Sequence, residues 1–399
     1  MEALDWLFQQ FPSYQLMGSK AYKPTLENTE QILEILDHPE RKLKFIHVAG
    51  SNGKGSVSSY LASILKESGL KVGLFTSPHI AHFSERIRVG GIPIENSEIE
   101  RFVEKIRNTP LPFSPSFFEI TFGMALEHFV SHDCDICVIE TGLGGRLDAT
   151  NVIQPQFSVV TGISLEHTNI LGNTVNEIAF EKAGIIKPNI PVVLGAGCTE
   201  TRNVFEIKAS EMQTTLSWAH PFPSKYGSYF TADYQKENFS TVLAALEIVA
   251  PDISENEICL GIENIHQNTG FYGRMQIVET NPTVIYDVSH NPEGIQSTFK
   301  SILSAFSGKL HVIYGSSNDK DVKSIVKIFP ANIHFYGTEF SNERSMKKEN
   351  LEHFFGGTNF KSTAYFDDSQ KAMKAARSNA SESDTILVIG SFFLLSDFF

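Results

Sequence analysis

The stretch Lys44-Phe45-Ile46-His47-Val48-Ala49-Gly50-Ser51-Asn52-Gly53-Lys54-Gly55-Ser56 decides the fold. It opens as a short apolar run with strand character. Beyond it, Val57, Tyr60, Leu61, Ile64 and Leu65 keep the i, i+3, i+4, i+7, i+8 spacing of one helix face. A strand that turns through glycines straight into a helix is the building unit of an α/β layer structure. The three glycines let successive N–H groups face one point, and the helix N-terminus adds the positive end of its dipole. Lys54 adds a mobile charge, and Ser51 or Ser56 a hydroxyl. Gly50–Ser56 is therefore expected to cradle a polyphosphate. Its spacing departs from G-x-x-x-x-G-K-[ST], because Gly50 and Gly53 are closer and Gly55 separates Lys54 from Ser56.

Working outward, Lys71–Thr76, Asp135–Glu140, Phe157–Gly162 and Pro191–Gly195 also read as strands, most of them apolar nearly throughout, as in a sheet covered on both faces. The pattern restarts near residue 274. Thr283–Val288 reads as a strand, Asn291-Pro292 as an N-cap and first helical residue, and Ile295, Phe299, Ile302, Leu303 and Phe306 as a helix stripe. Leu310–Gly315, Ile333–Tyr336 and Thr385–Gly390 read as further strands, with helices over Asp321–Ile328 and Ser369–Ser378. The expected architecture is α/β: a phosphate-loop domain with a mainly parallel sheet over residues 1–268, then a smaller Rossmann-like α/β domain over 269–399. Gln267–Gly273, with Asn, Thr and two Gly, is the expected linker.

Composition narrows the function. Lys+Arg number 33 against 46 Asp+Glu, and a net charge of -13 argues against non-specific nucleic-acid or anionic-membrane binding. Four Cys are too few for a disulfide scaffold at this length, and Cys134-Asp135-Ile136-Cys137 opens a strand with no second pair nearby, which fits neither redox chemistry nor a four-cysteine zinc site. Met1–Asp5 lacks the basic and apolar segments of a signal peptide, so a cytoplasmic protein is expected. The 31 Phe mostly follow strand and helix periods and are expected in the core.

In open α/β sheets, ligands sit at the carboxyl ends of strands. Glu140 ends one strand and leads into Thr141–Asp148, an expected active-site loop in which Arg146 and Asp148 are candidate substrate contacts; Ser77 follows a second strand and His167 a third. Mg²⁺ takes hard oxygen ligands, so Glu140 suits it best and Ser77 is a second candidate, while His167 reads from its chemistry as a general base or phosphate contact. Lys182 reads as a solvated helix lysine. Arg274, Asp287 and His290 gather at the mouth of the second domain, although Asp287 could equally satisfy nearby backbone donors.

The chain resembles the folylpolyglutamate synthase/dihydrofolate synthase family of the Mur ligase superfamily. The resemblance runs from Tyr22-Lys23-Pro24-Thr25-Leu26-Glu27-Asn28-Thr29 to Gly390-Ser391, through Val48–Ser56, Thr76-Ser77-Pro78-His79, Phe117-Phe118-Glu119, Gly142–Asn151, Leu171-Gly172, Lys182–Pro188, Gly273-Arg274 and His290-Asn291-Pro292. It implies an ATP-dependent amide ligase. The γ-phosphoryl of ATP goes to a carboxylate of dihydropteroate or a folate, and the amine of L-glutamate attacks the acyl phosphate. It also implies that Gly50, Ser51, Asn52, Gly53, Lys54, Gly55 and Ser56 hold the ATP phosphates, with Asn238 on adenine and Arg274 and Asp287 on nucleotide from the second domain. Ser77, Glu140 and His167 become the Mg²⁺ ligands, and Lys182 a carbamylated lysine. His290 and Ser391 face glutamate or the acyl phosphate, and the loop Pro78–Arg88, with His79 and Arg86, belongs to the folate site. Acceptance of both acyl substrates and a monomeric enzyme are expected; a monovalent-cation site is left open. Arg88–Pro93 reads independently as a hairpin with a Gly-Gly turn.

Four residues depart from the family pattern. Ser51 stands for Thr, Glu166 for the Asp before the histidine, and Val288-Ser289 for Gly-Ala after Asp287. Two rival readings are a Mur-type ligase acting on a UDP-linked cell-wall precursor and a non-catalytic nucleotide switch. The folate-type K-G-S loop and Thr76–His79 oppose the first, as does the lack of a long N-terminal UDP-binding domain. A guanine-reading N-K-x-D would support the second, but Asn318-Asp319-Lys320-Asp321 has its lysine one place late.

Overall fold

A computed structural model of the chain describes residues 2–11 and 24–399; Tyr22 and Lys23 of the first family motif lie outside them. The chain divides into two units, Met1–Ser224 with Lys236–Phe271, and Lys225–Gln235 with Tyr272–Phe399.

In the first unit, β1 (Phe45–Ala49), β2 (Val72–Phe75), β3 (Ile87–Val89), β4 (Ile92–Pro93), β5 (Ile136–Glu140), β6 (Phe157–Gly162), β7 (Val192–Gly197) and β8 (Leu216–Trp218) form one sheet in the order β4-β3-β2-β5-β1-β6-β7-β8. From β2 to β8 all neighbours are parallel, and β3 and β4 add an antiparallel edge. Every residue of β1, β2 and β5 is buried, which explains their mostly apolar sequences, broken only by His47 and Glu140. β1 runs through Gly50–Gly53 into helix Lys54–Glu67, as its sequence predicts. Helix Phe117–Ser131 begins with a capping box in which the Glu119 N–H donates to Ser116 Oγ and the Ser116 N–H to the Glu119 carboxylate.

The second unit holds β9 (Gln276–Thr280), β10 (Thr283–Asp287), β11 (Leu310–Tyr314), β12 (Ile333–Thr338), β13 (Ser362–Phe366) and β14 (Thr385–Ile389), in the order β13-β12-β11-β14-β10-β9. β9 pairs antiparallel with β10, and the other five strands are parallel. Asn291 caps helix Pro292–Ala305, its Oδ1 accepting from the Gly294 N–H at 2.8 Å.

The boundary between the units at Phe271/Tyr272 falls inside the expected linker Gln267–Gly273. The linker's first residues belong to helix Ile265–Thr269, which packs on helix Lys54–Glu67. The buried Asn268 amide donates to Ser63 Oγ at 3.0 Å and to Glu67 Oε1 at 2.6 Å. These bonds hold the linker's first residues to the first unit, and residues 225–235 group with the second unit. Among the described residues, no helix is long and apolar enough to cross a membrane.

Candidate active site

The parallel order β2-β5-β1-β6 brings four chain exits to one sheet edge: Ser77 after β2, Glu140 at the end of β5, the glycine loop after β1, and Ser164–His167 after β6. Strands lie about 4.8 Å apart, so these exits span roughly 14 Å.

The glycine loop is fixed by its neighbours. The Ser51 N–H donates to Gly162 O at 2.8 Å, Ser51 Oγ donates to Ser164 O at 3.1 Å, and the Asn52 amide reaches Ser164 Oγ at 3.3 Å. The Thr161 hydroxyl donates to Asn52 O. Gly50 has φ +150° and Gly53 φ +88°, and a Cβ would collide with the Thr161 hydroxyl at Gly50 and with the Asn238 amide at Gly53. Asn238 thus lies against the loop, on the same unit. Gly53 also opens helix Lys54–Glu67 with no side-chain cap, leaving the first N–H groups to a ligand. Lys54 Nζ donates to Gly50 O at 2.7 Å and to Ser51 O at 3.3 Å.

Lys182 corrects the reading as a solvated lysine: it is 1% exposed. Helix Val175–Ala183 buries Ile178, Ala179, Lys182 and Ala183, so Lys182 lies on the inward face, where i, i+3 and i+4 spacing from Ile178 and Ala179 puts it. Its Nζ donates to Gly50 O at 2.8 Å and pairs with Glu166 Oε1 at 2.7 Å. Burial lowers the Lys182 pKa and nearby Lys54 adds to that, while Glu166 pulls the other way. Burial alone would raise the Glu166 carboxyl, but Lys182, Lys54 and His167 outweigh it and hold it well below its ordinary value. Glu166 was singled out in the sequence only as a departure; here it is the counter-charge of Lys182. His167, with φ +45°, heads the short turn Thr168–Leu171.

Glu140 is 4% exposed and accepts from the Ser77 N–H at 3.1 Å, so two of the expected metal ligands meet. Pro78 follows Ser77 at the start of a loop knitted by Glu85, whose carboxylate accepts from the N–H groups of Ile80, Ala81 and His82 at 2.8, 2.9 and 2.6 Å. The buried Arg86 donates from Nε to His79 Nδ1 at 2.8 Å and lies over the Phe117 ring at 5.7 Å. Burial, with Arg86 and His82 nearby, pushes His79 down to about 3, so it is a neutral acceptor at pH 7. Burial pushes Arg86 down to about 10 against the pull of Glu140 and Glu85, and the guanidinium stays charged.

Arg146 and Asp148 shape their loop. Arg146 is half-exposed and forks onto the Glu181 carboxylate, with NH2 to Oε1 at 2.8 Å. The buried Asp148 accepts from the N–H groups of Leu143 at 2.7 Å and Thr150 at 3.0 Å, and burial raises its pKa against these bonds.

The second unit also gathers its candidates at one sheet edge. Asp287 and Ile389 pair in register, so His290 and Ser391 follow adjacent parallel strands, and antiparallel β9 brings Arg274 to the same end. Phe392 links them: its ring lies 5.1 Å from the Arg274 guanidinium and 5.8 Å from the His290 ring. His290 Nδ1 is 3.0 Å from Val288 O, which places the hydrogen on Nδ1 and leaves Nε2 as the acceptor. Asp287 is fully buried. One carboxylate oxygen accepts from Tyr234 OH at 2.8 Å and the Met275 N–H at 2.9 Å, the other from the Ser289 N–H at 2.9 Å and Thr298 Oγ1 at 3.2 Å. It therefore braces this edge from inside. The Ser391 hydroxyl caps helix Phe392–Ser396 by accepting from the Phe393 N–H at 3.1 Å.

A phosphate loop on one α/β unit and a polar edge on a second are the parts of a Mur-type ligase, and family models agree: Mur ligase middle domain matches residues 48–191, and Mur ligase, glutamate ligase domain matches residues 273–392. The dihydrofolate synthase/folylpolyglutamate synthase of Bacillus subtilis is 32% identical, with 94% of each chain covered. Escherichia coli FolC, solved in complex with DHPP and ADP, has a TM-score of 0.84 at 29% identity, covering 99% of this chain and 96% of its own. The bifunctional folylpolyglutamate synthase/dihydrofolate synthase of Yersinia pestis, complexed with AMPPNP and Mn ion, has a TM-score of 0.83 at 26% identity, covering 99% and 97%. The chain belongs to the dihydrofolate synthase/folylpolyglutamate synthase family.

Proposed function

We propose that this chain is an ATP-dependent ligase that joins L-glutamate to dihydropteroate and to tetrahydrofolate polyglutamates through an acyl phosphate. The observation that carries the reading is the single sheet edge where the glycine cradle, Lys54, Lys182, Glu140 and Ser77 meet. Lys54 and the N–H groups of the glycine loop supply the local positive groups that anionic reactants require on a protein of net charge -13.

In the first step a carboxylate oxygen of the acyl substrate attacks the γ-phosphorus of ATP, and the bond to ADP breaks. The N–H groups of the Gly50–Ser56 loop and Lys54 hold the phosphates in line, and Arg86, kept charged beside neutral His79, suits an anionic acyl substrate. In the second step the amine of glutamate attacks the acyl carbon, inorganic phosphate leaves, and the nitrogen loses a proton, for which His290 Nε2 is the proposed acceptor. Arg274 and Ser391 are proposed to position the incoming groups. Glu140 offers the buried carboxylate oxygen that Mg²⁺ favours, with Ser77 and His167 as further ligands; the ion would neutralise phosphate charge. Asn238 is proposed against adenine.

Lys182 is proposed to carry a carbamate in the working enzyme. CO₂ reacts with neutral amines, and burial drives Lys182 toward that form. Its partners Glu166 and Gly50 O suit the ammonium, so carbamylation requires the Glu166 pair to open. Labelled bicarbonate should give a carbamate carbon resonance that Lys182→Ala lacks. The protein is proposed to act as a cytoplasmic monomer.

The deciding assay offers dihydropteroate and tetrahydrofolates separately at fixed ATP and glutamate. Glutamate-dependent ADP release with both is expected. Release with neither acyl substrate would remove the proposal.

A further inference from the structure

We propose that Glu98, His128 and His132 form a zinc-binding site on the first unit, away from the catalytic edge. Helix Asn96–Arg107 supplies Glu98 from its first turn. Helix Phe117–Ser131 supplies His128 near its end, and His132 caps it. Their ligand atoms lie within 4.8 Å of one another. His128 Nδ1 is 3.3 Å from Glu98 Oε2, and His132 Nε2 is 3.9 Å from Glu98 Oε1. A tetrahedral zinc with bonds of about 2.0–2.1 Å places its ligands roughly 3.3 Å apart. The three side chains need only a small contraction to reach it.

The protons make the site a ligand set rather than a set of satisfied polar groups. His132 Nδ1 lies 2.9 Å from His128 O, so that nitrogen carries the hydrogen and Nε2 turns a lone pair toward the Glu98 carboxylate. Metal-bound imidazoles use their second nitrogen in this way. His128 is 5% exposed, and its Nδ1 faces the Glu98 carboxylate at 3.3 Å without the alignment of a good hydrogen bond. Two imidazole nitrogens thus converge on one carboxylate with nothing positive between them. Arg101, the nearby cation, lies 3.7 Å from Glu98 Oε1 on a side chain 65% exposed, free to turn into solvent. A two-nitrogen, one-oxygen donor set suits Zn²⁺ better than Mg²⁺ or Ca²⁺, which prefer oxygen alone. His132, 40% exposed, leaves an open side for a water as fourth ligand.

The metal would cross-link two helices already joined through Phe102, Val103, Phe122 and Phe129 in one apolar cluster. His128 lies eleven residues along its helix from Phe117, which lines the Arg86 region, roughly 16 Å away by helix rise. The site therefore acts on stability and not on the ligase reaction.

The test titrates metal-free, full-length protein with ZnCl₂ against a chromophoric chelator, comparing wild type with His132→Ala, at a partly exposed position and checked for folding by circular dichroism, and Glu98→Gln. The comparison isolates this site from any zinc held at the catalytic edge. Wild type should bind one more zinc than His132→Ala, and the remaining affinity at the site should fall by at least about 100-fold, since even outer-shell changes cost about 10- to 100-fold. Cobalt should give tetrahedral visible bands that the variant lacks, and zinc should raise the thermal midpoint of wild type only. Magnesium-dependent ligase activity should be equal in both. Equal zinc stoichiometry and affinity in wild type and both variants would overturn the proposal.

Discussion

Replacing Glu166 by Gln tests the electrostatics beneath the phosphate loop. The change keeps shape and removes the charge facing Lys182 Nζ at 2.7 Å. At an effective dielectric of about 20, that separation corresponds to roughly 6 kcal/mol of attraction before desolvation. Removing one partner of a buried pair costs about 3–5 kcal/mol in practice. Glutamine still offers Lys182 an acceptor, and Gly50 O stays in place, so the expected loss is about 3 kcal/mol. Urea unfolding of wild type, Glu166→Gln, Lys182→Met and the double variant closes a cycle, and the double variant should be more stable than the sum of the singles predicts. The pH dependence has a defined sign. Glu166 has a depressed folded pKa, so its contribution is present above the ordinary glutamate value near ~4.3 and fades as pH falls below it. Wild type and Glu166→Gln should converge in acid. In Glu166→Gln the lysine is more depressed still; between its folded value and about 10.4 the unfolded chain binds more protons, so stability rises with pH and the deficit shrinks. A Glu166→Gln protein within about 0.5 kcal/mol of wild type at pH 7, the size of an ordinary surface change, would refute this account of the Lys182 environment.

Lys54→Ala should abolish ligation while the thermal midpoint stays within a few degrees, measured by ADP release and calorimetry. Gly53→Ala forces a side chain onto the Asn238 amide at a left-handed φ, a strain of about 1–2 kcal/mol, and should raise the KM for ATP more than it lowers kcat. Asp287→Asn turns one acceptor toward donors at the fully buried end of β10, where charged hydrogen bonds are worth about 1.5–3 kcal/mol each; about 3 kcal/mol should be lost in denaturant titration. Lys182→Ala should be inactive and regain part of its turnover with a small carboxylic acid, as a carbamate role requires.

Residues that face one environment for a physical reason were legible in the sequence. β1, β5, β10 and β14 are legible because burial on both faces or nearly so makes them mostly apolar, and the glycine loop is legible because its φ values and close approaches leave few other residue choices. The exposed strands β8, β9 and β13 went unread, since solvent on one or both faces removes their apolar pattern. Lys182 shows the limit of reading charge as surface: Ile178, Ala179 and Ala183 mark its helix's inward face, and only a partner distant in sequence, Glu166, makes a lysine tolerable there. Arg146 and Asp148 stand out in the sequence as polar groups of a loop at a strand end, whereas their partners Glu181 and the Thr150 and Leu143 N–H groups do not. Such pairings depend on the fold and leave no local signature.

The acyl phosphate itself is accessible to isotope transfer. Dihydropteroate carrying ¹⁸O in its carboxylate, turned over with ATP and glutamate, should pass one labelled oxygen to each inorganic phosphate released, read by mass spectrometry. Phosphate that emerges without label while the glutamyl product forms would contradict the reaction assigned to this chain.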